Sequence, residues 1–114
     1  MPATCRRLED LEPQERELIA AARAARARAH APYSHFAVGA AVRTADGIIH
    51  PGCNIEISSY GLTLCAERVA LFGARAAGAT RLQALALVAA GKAGRPTPPC
   101  GACRQVIWDL AGDI

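Results

Sequence analysis

Large anchoring side chains are scarce in this 114-residue chain, which has two Phe, two Tyr and one Trp. Single-stranded nucleic acids are held by aromatic platforms set in a basic groove, and no such interleaving occurs. Arg23, Arg26 and Arg28 cluster on one segment and read as a solvated helix face. Lysine is nearly absent, with Lys92 alone, so the modest net charge of +3 is carried almost wholly by arginine. Long apolar runs are missing too. No segment is long and apolar enough to span a bilayer, and the stretch MPATCRRLEDLEPQERELIA has no secretory core and is too acidic for a transit peptide. The expectation is a cytoplasmic protein with neither a nucleic-acid nor a membrane partner. Cysteine is not scarce, but the five present (Cys5, Cys53, Cys65, Cys100 and Cys103) are odd in number. In a reducing compartment that disfavours a disulfide framework.

What is present is the composition of one small folded domain, expected to span residues 1–114, with 52% hydrophobic and 20% charged residues. Much of the apolar content is alanine, which lets elements pack closely. Pro13 to about Ala29 reads as a helix, with proline at its first position and Leu11, Leu18, Ala22, Ala25 and Ala29 at helical spacing. FAVGAAVRT (36–44) and IIHPGC (48–53) flank Asp46-Gly47, a hairpin signal, and Pro51 suggests that the second strand ends early or is partly unpaired. CAERVALFGARAAG reads as a helix closing at Gly78. LQALALVAA (82–90) is short and bounded by turn residues, so it reads as a buried strand. GKAGRPTPP is a loop, and Gly101 to about Ala111 is a last helix. The order α-β-β-α-β-α favours an α/β sandwich with a mixed sheet containing at least one parallel pair.

Cysteine placement carries the chemistry. Cys65 opens one expected helix, in TLCAERVA, and Cys100 and Cys103 open the other, in PPCGACRQ. A pair spaced like Cys100 and Cys103 can be a redox dithiol, a disulfide or half of a metal site. Amide dipoles at helix N-termini favour thiolate, zinc takes thiolates readily, and three protein ligands leave a fourth position for water. Glu67 lies two residues after Cys65. Cys-Ala-Glu followed downstream by Pro-Cys-x-x-Cys matches the zinc deaminase signature in a three-cysteine form.

APYSHFAVGAA, CNIEISSYGLTLCAERVALF and PCGACRQVI each resemble segments of the small homotetrameric cytidine deaminases, over about Glu15 to Gly112. The resemblance implies a three-layer α/β/α fold and one zinc ion per chain on Cys65, Cys100 and Cys103. It implies that Glu67 moves protons during hydrolysis of free cytidine or 2′-deoxycytidine to the uridine product and ammonia. Asn54 and Glu56 match the pair that grips the ribose, Phe36 an aromatic that packs on the pyrimidine, and Ala66 a residue offering backbone polar groups to the base. Tyr33 and Tyr60 match subunit contacts, implying a homo-oligomer, a tetramer in that family. Three thiolates and one zinc ion sum to one negative charge, so cations are needed nearby. Arg68 is implied in that role, and Arg104 is a second candidate. The chain departs from the pattern at Ile57, where many members have Asn, and at Ser58, where a small apolar residue is common. The resemblance also implies two further C-terminal strands, which do not follow PCGACRQV in this sequence.

Other readings of the same residues stay open. A structural zinc module would need a fourth ligand from Cys53, His30, His35 or His50, and would leave Glu67 unexplained. A deaminase of a related aminonucleoside such as blasticidin S would share the zinc motif, although CNIE favours an ordinary nucleoside.

Overall fold

The structure is a computed structural model that describes residues 7–89, 99–112 and 114. Residues 91–98 of the expected 91–99 loop, the expected strand end at Ala90, and Cys5 and Lys92 lie outside the described residues. After a short 3-10 turn, the elements are α1 (Pro13–Arg26), β1 (Val38–Thr44), β2 (Ile49–Cys53), α2 (Ala66–Ala76), β3 (Leu82–Ala89) and α3 (Gly101–Ala111), with a second 3-10 turn at Tyr60–Leu62. This is the order expected from the sequence.

The mixed sheet is corrected. Among the described residues the strands run β2-β1-β3, and both pairings are antiparallel. β2 and β3 do point the same way and are joined through α2, so the strand–helix–strand unit is real. β1 lies between them, however, and each of the two pairs with it rather than with the other. The one parallel pairing among the described residues is an isolated bridge, His30 to Ile55.

Side-chain alternation along β1 builds the three layers. Ala40 and Val42 face a cluster with Ala66, Ala70, Leu71 and Ala74 of α2, against which Val106, Ile107 and Leu110 of α3 pack. Ala41 faces the opposite cluster, with Leu18 and Ala22 of α1 and Ala86 of β3. A register shift between Arg43 and Thr44 sets Thr44 opposite Leu82. The extra residue carries Leu82 to the α2 side, whereas Ala84 and Ala86 face α1. Arg43, buried on the α1 side, donates to Gln83 Oε1 at 3.0 Å and to Gln14 O at 2.8 Å, tying the start of α1 to the sheet.

Two glycines let helices approach the sheet backbone. A Cβ at Gly39 would lie 2.0 Å from Ala22 O in α1, and one at Gly52 would lie 2.5 Å from Ala70 N and 2.6 Å from Ala66 O in α2. The second contact sets how deeply the first turn of α2 sits.

Local signals explain the ends of most elements. α1 stops at Arg26, where Arg28 N–H bonds Ala25 O and Ala29 N–H bonds Arg26 O, three residues back. Arg23 and Arg28 are exposed as expected. Arg26 is not purely solvated, because its Nε donates to Ala37 O at 3.0 Å. α2 closes as expected at Gly78, with φ 100°. Gly78 N–H bonds Arg75 O and Ala79 N–H bonds Ala74 O, the paired bonds of a Schellman turn. β2 does not end early at Pro51. It runs on to Cys53, because β2 is an edge strand of the described sheet, where a residue without an N–H is tolerated.

Candidate active site

The expectation that three thiols mark two helix starts is met in the backbone. Cys65 is the N-cap of α2, Cys100 is the N-cap of α3, and Cys103 lies in the first turn of α3. The two helices pack on the same face of the sheet, which brings their N-termini together. Cys65 Sγ lies 3.8 Å from Cys100 Sγ, and Cys100 Sγ lies 3.3 Å from Cys103 Sγ. All three sulfurs fall within 4.8 Å of one another. Zinc–sulfur bonds of about 2.3 Å at tetrahedral angles put sulfurs about 3.8 Å apart, so the donor set fits zinc in both chemistry and spacing. Cys53, His30, His35 and His50 are not part of the cluster.

The thiols differ in electrostatics. The backbone N–H of Cys103, 3.4 Å from Cys100 Sγ, holds the Cys100 thiol below its ordinary range, whereas burial pushes the Cys103 thiol well up. The Glu67 charge opposes thiolate formation at both. Arg68 is the cation that lies against the sulfurs. Its Nη2 lies 3.4 Å from Cys65 Sγ and 3.4 Å from Thr63 O, and the bond to Cys65 is the main cause that raises its pKa. Its Nε is buried without a hydrogen-bond partner in the protein. Arg104, the other candidate, is exposed on α3 and does not line the cavity. Its backbone N–H bonds Cys100 O at 2.9 Å.

A cavity of about 520 Å³ opens beside the sulfurs, lined by Phe36, Asn54, Glu56, Ala66, Glu67, Arg68, Cys65 and Cys100 among others. Glu67 is only 4% exposed and sits in the first turn of α2, where the helix dipole favours a carboxylate. Ala66 is fully buried at the start of the same helix. Phe36 lies half-exposed on the wall just before β1. Tyr60 lines the cavity of its own chain and is exposed, while Tyr33 is exposed outside the lining.

The segment carrying Asn54 and Glu56 is fixed on both sides. His30 N–H bonds Asn54 O and Glu56 N–H bonds His30 O, while Ile55 and Leu64 exchange both backbone bonds. In this extended run Asn54 and Glu56 turn inward and are buried, and Ile55 turns outward. Asn54 Oδ1 accepts from Val38 N–H and Nδ2 donates to Phe36 O, both at 2.8 Å. The Glu56 carboxylate accepts from the backbone N–H groups of Tyr33 and Ser34, both at 3.1 Å, and from the Ser34 hydroxyl. The hydroxyl bond is the largest influence holding its pKa below the usual carboxylate value.

Sequence reasoning missed Ser34, Val38 and Leu87 on this wall. For Ser34 a signal was available, since a serine two residues before Phe36 can cap the turn there through its hydroxyl. Val38 and Leu87 carry no signal beyond ordinary strand residues.

Three sulfurs spaced for zinc, an open cavity beside them and a buried acid two residues after the first sulfur are the equipment of a zinc-dependent hydrolase. The family model of the cytidine and deoxycytidylate deaminase zinc-binding region matches residues 12–112. A cytidine deaminase of Halalkalibacterium halodurans is 55% identical over 93 residues, covering 82% of this chain and 69% of the relative. One of Sporosarcina psychrophila is 53% identical over 94 residues, covering 82% and 68%. The crystal structure of cytidine deaminase from Burkholderia pseudomallei superposes with a TM-score of 0.80 at 52% identity, covering 85% of this chain and 76% of that one. The chain belongs to the cytidine and deoxycytidylate deaminase zinc-binding family.

Proposed function

We propose that this chain hydrolyses cytidine, and 2′-deoxycytidine alike, to the uridine product and ammonia, in pyrimidine salvage in the cytoplasm. The observation that carries the reading is that Glu67 meets Cys65 and Cys100, with Cys103 clustered behind them, on the wall of one nucleoside-sized cavity that also presents Phe36, Asn54 and Glu56.

Cys65, Cys100 and Cys103 hold one zinc ion. Zinc bound there supplies the Lewis acidity that brings the pKa of a water toward neutrality. Glu67 takes a proton from the attacking water and gives it to N3 of the pyrimidine as the oxygen bonds to C4. Glu67 then takes the second proton from that oxygen and delivers it to the amino group. The C4–N bond breaks, ammonia leaves and the C4 carbonyl forms. Phe36 packs on the ring, and the backbone of Ala66 meets the base edge. Asn54 and Glu56 hold the sugar. Arg68 offsets the thiolate charge, and the exposed Arg104 takes no part in the site.

Two finer points belong to the same reading. The chain works as a homo-oligomer, a tetramer, with Tyr33 and Tyr60 at subunit contacts. Their exposures of 54% and 66%, with Leu62 at 68%, leave apolar surface available for burial. It acts without a nucleic-acid or membrane partner. Among the described residues no helix is long and apolar enough to cross a membrane.

The test is loss of cytidine absorbance together with ammonia release, on protein whose zinc content has been measured. Turnover that scales with zinc supports the reading, and zinc-loaded protein that leaves cytidine intact contradicts it.

A further inference from the structure

Glu56 and Asn54 spend most of their hydrogen-bonding capacity on the protein. A carboxylate offers about four acceptor positions, and Glu56 uses three, on Tyr33 N–H, Ser34 N–H and Ser34 Oγ–H. Asn54 gives one amide proton to Phe36 O and accepts Val38 N–H on Oδ1. One acceptor position on Glu56 Oε2, one N–H of Asn54 and one lone pair on Asn54 Oδ1 are left, and both residues line the cavity. A single hydroxyl, donating to Glu56 and accepting from Asn54, satisfies the first two.

Ser34 stands at the joint of this arrangement. Its one hydroxyl proton is committed to Glu56 Oε2, and its oxygen accepts Phe36 N–H at 3.1 Å. A continuous path therefore runs from the Phe36 backbone through Ser34 Oγ to the carboxylate. The turn that makes this path is held under tension. His35, between Ser34 and Phe36, has φ 57° and is the only non-glycine residue with positive φ among those described. A histidine in that region costs conformational energy, and such residues persist where surrounding contacts over-determine them. The bonds from the Tyr33–Ser34 turn to Glu56 supply those contacts.

We infer that Ser34 is a positioning residue, whose hydroxyl sets the separation of Phe36 and Glu56 so that the pyrimidine and one sugar hydroxyl are gripped together. The inference rests on the reading that Asn54 and Glu56 hold the sugar. Ser34 touches neither the metal site nor the atoms that react. Its loss therefore falls on substrate binding and not on proton transfer.

The experiment compares the zinc-loaded parent with Ser34→Ala and Ser34→Thr on cytidine, 2′-deoxycytidine and 3′-deoxycytidine. The parent first identifies the gripped hydroxyl as the one whose removal raises KM most. On cytidine, Ser34→Ala should raise KM about tenfold, as for loss of a hydrogen bond to a charged group, while kcat falls by no more than about threefold. On the analogue lacking the gripped hydroxyl, the KM penalty of Ser34→Ala should shrink below about twofold, because the contact it positions is already gone. Ser34→Thr keeps the hydroxyl and should stay within about threefold of the parent. It also carries the test if the alanine variant does not fold, since a threonine variant that folds but shows the full tenfold penalty overturns the inference. An equal Ser34→Ala penalty on cytidine and on the analogue would make Ser34 a loop-stabilising residue only, and the inference fails. A parent indifferent to both deletions overturns the sugar-grip reading instead, and this inference falls with it.

Discussion

Arg68 Nη2 sits 3.4 Å from Cys65 Sγ, one helical turn along α2, with its Nε buried and without a hydrogen-bond partner in the protein. A guanidinium accepts that cost only where negative charge draws it in, and the nearby sulfurs, once they are thiolates on a metal, are that charge. Arg68→Gln should weaken zinc binding about 10- to 100-fold, the usual scale for a group that supports a metal ligand. Arg68→Lys should not restore it, since a lysine side chain ends one bond short of the position from which Nη2 reaches both Thr63 O and Cys65 Sγ. Competition against a chelator of known affinity reads both. Unchanged zinc affinity would leave Arg68 as a pin between α2 and Thr63 alone.

Burial keeps the Cys103 thiol protonated well above neutrality in metal-free protein. Zinc must displace that proton, so binding at neutral pH should release at least one proton and affinity should climb as pH rises. Calorimetry in two buffers of different ionisation enthalpy counts the protons. Metal uptake without proton release would contradict the electrostatic account of Cys103.

Glu56 tests the sign of a second shift. Its folded pKa lies below the unfolded value, so the ionised form stabilises the fold above the unfolded pKa. That contribution is lost as pH falls through the lower folded value. Glu56→Gln should therefore unfold at a lower temperature than the parent at neutral pH. The gap should close only below the ordinary carboxylate range. Melting curves across pH check this, and a gap that widens in acid would reverse the sign.

Gly52 fixes the depth of α2. Gly52→Ala drives a methyl group against Ala70 N and Ala66 O, and overpacking of that kind costs about 1–3 kcal/mol. Tm should fall by about 5–15 °C, with weaker zinc binding because Cys65 rides on the displaced turn. A variant with parental Tm would show that the helix shifts without strain.

Much of this could be read before any coordinates, for definite reasons. Helical spacing in α1, a short apolar run in β3 and Asp46-Gly47 in the hairpin are local signals, and each element formed within about three residues of its expected bounds. The metal ligands were legible because each lies in the cap or first turn of a helix, a place sequence marks well. The sheet's pairing was not, because adjacency in sequence does not say which strand lies between two others. β1 takes that place and leaves β2 and β3 apart. The hairpin loop also differs in detail. Thr44 N–H bonds Ile48 O, so the loop is Ala45–Gly47, with Gly47 at φ 92°. The turn that Ser34 caps at Phe36 is legible locally, but its bond to Glu56, 22 residues away, is not.

In the proposed mechanism Glu67 carries the protons while three cysteines carry the metal. Its most direct test is Glu67→Gln, with zinc content, fold and cytidine turnover measured on the same sample. Glu67→Gln should keep full zinc occupancy and a parental melting profile, with turnover reduced by about three or more orders of magnitude, as for a group that makes every proton transfer. A variant that keeps its zinc and deaminates cytidine within about tenfold of the parent would contradict it.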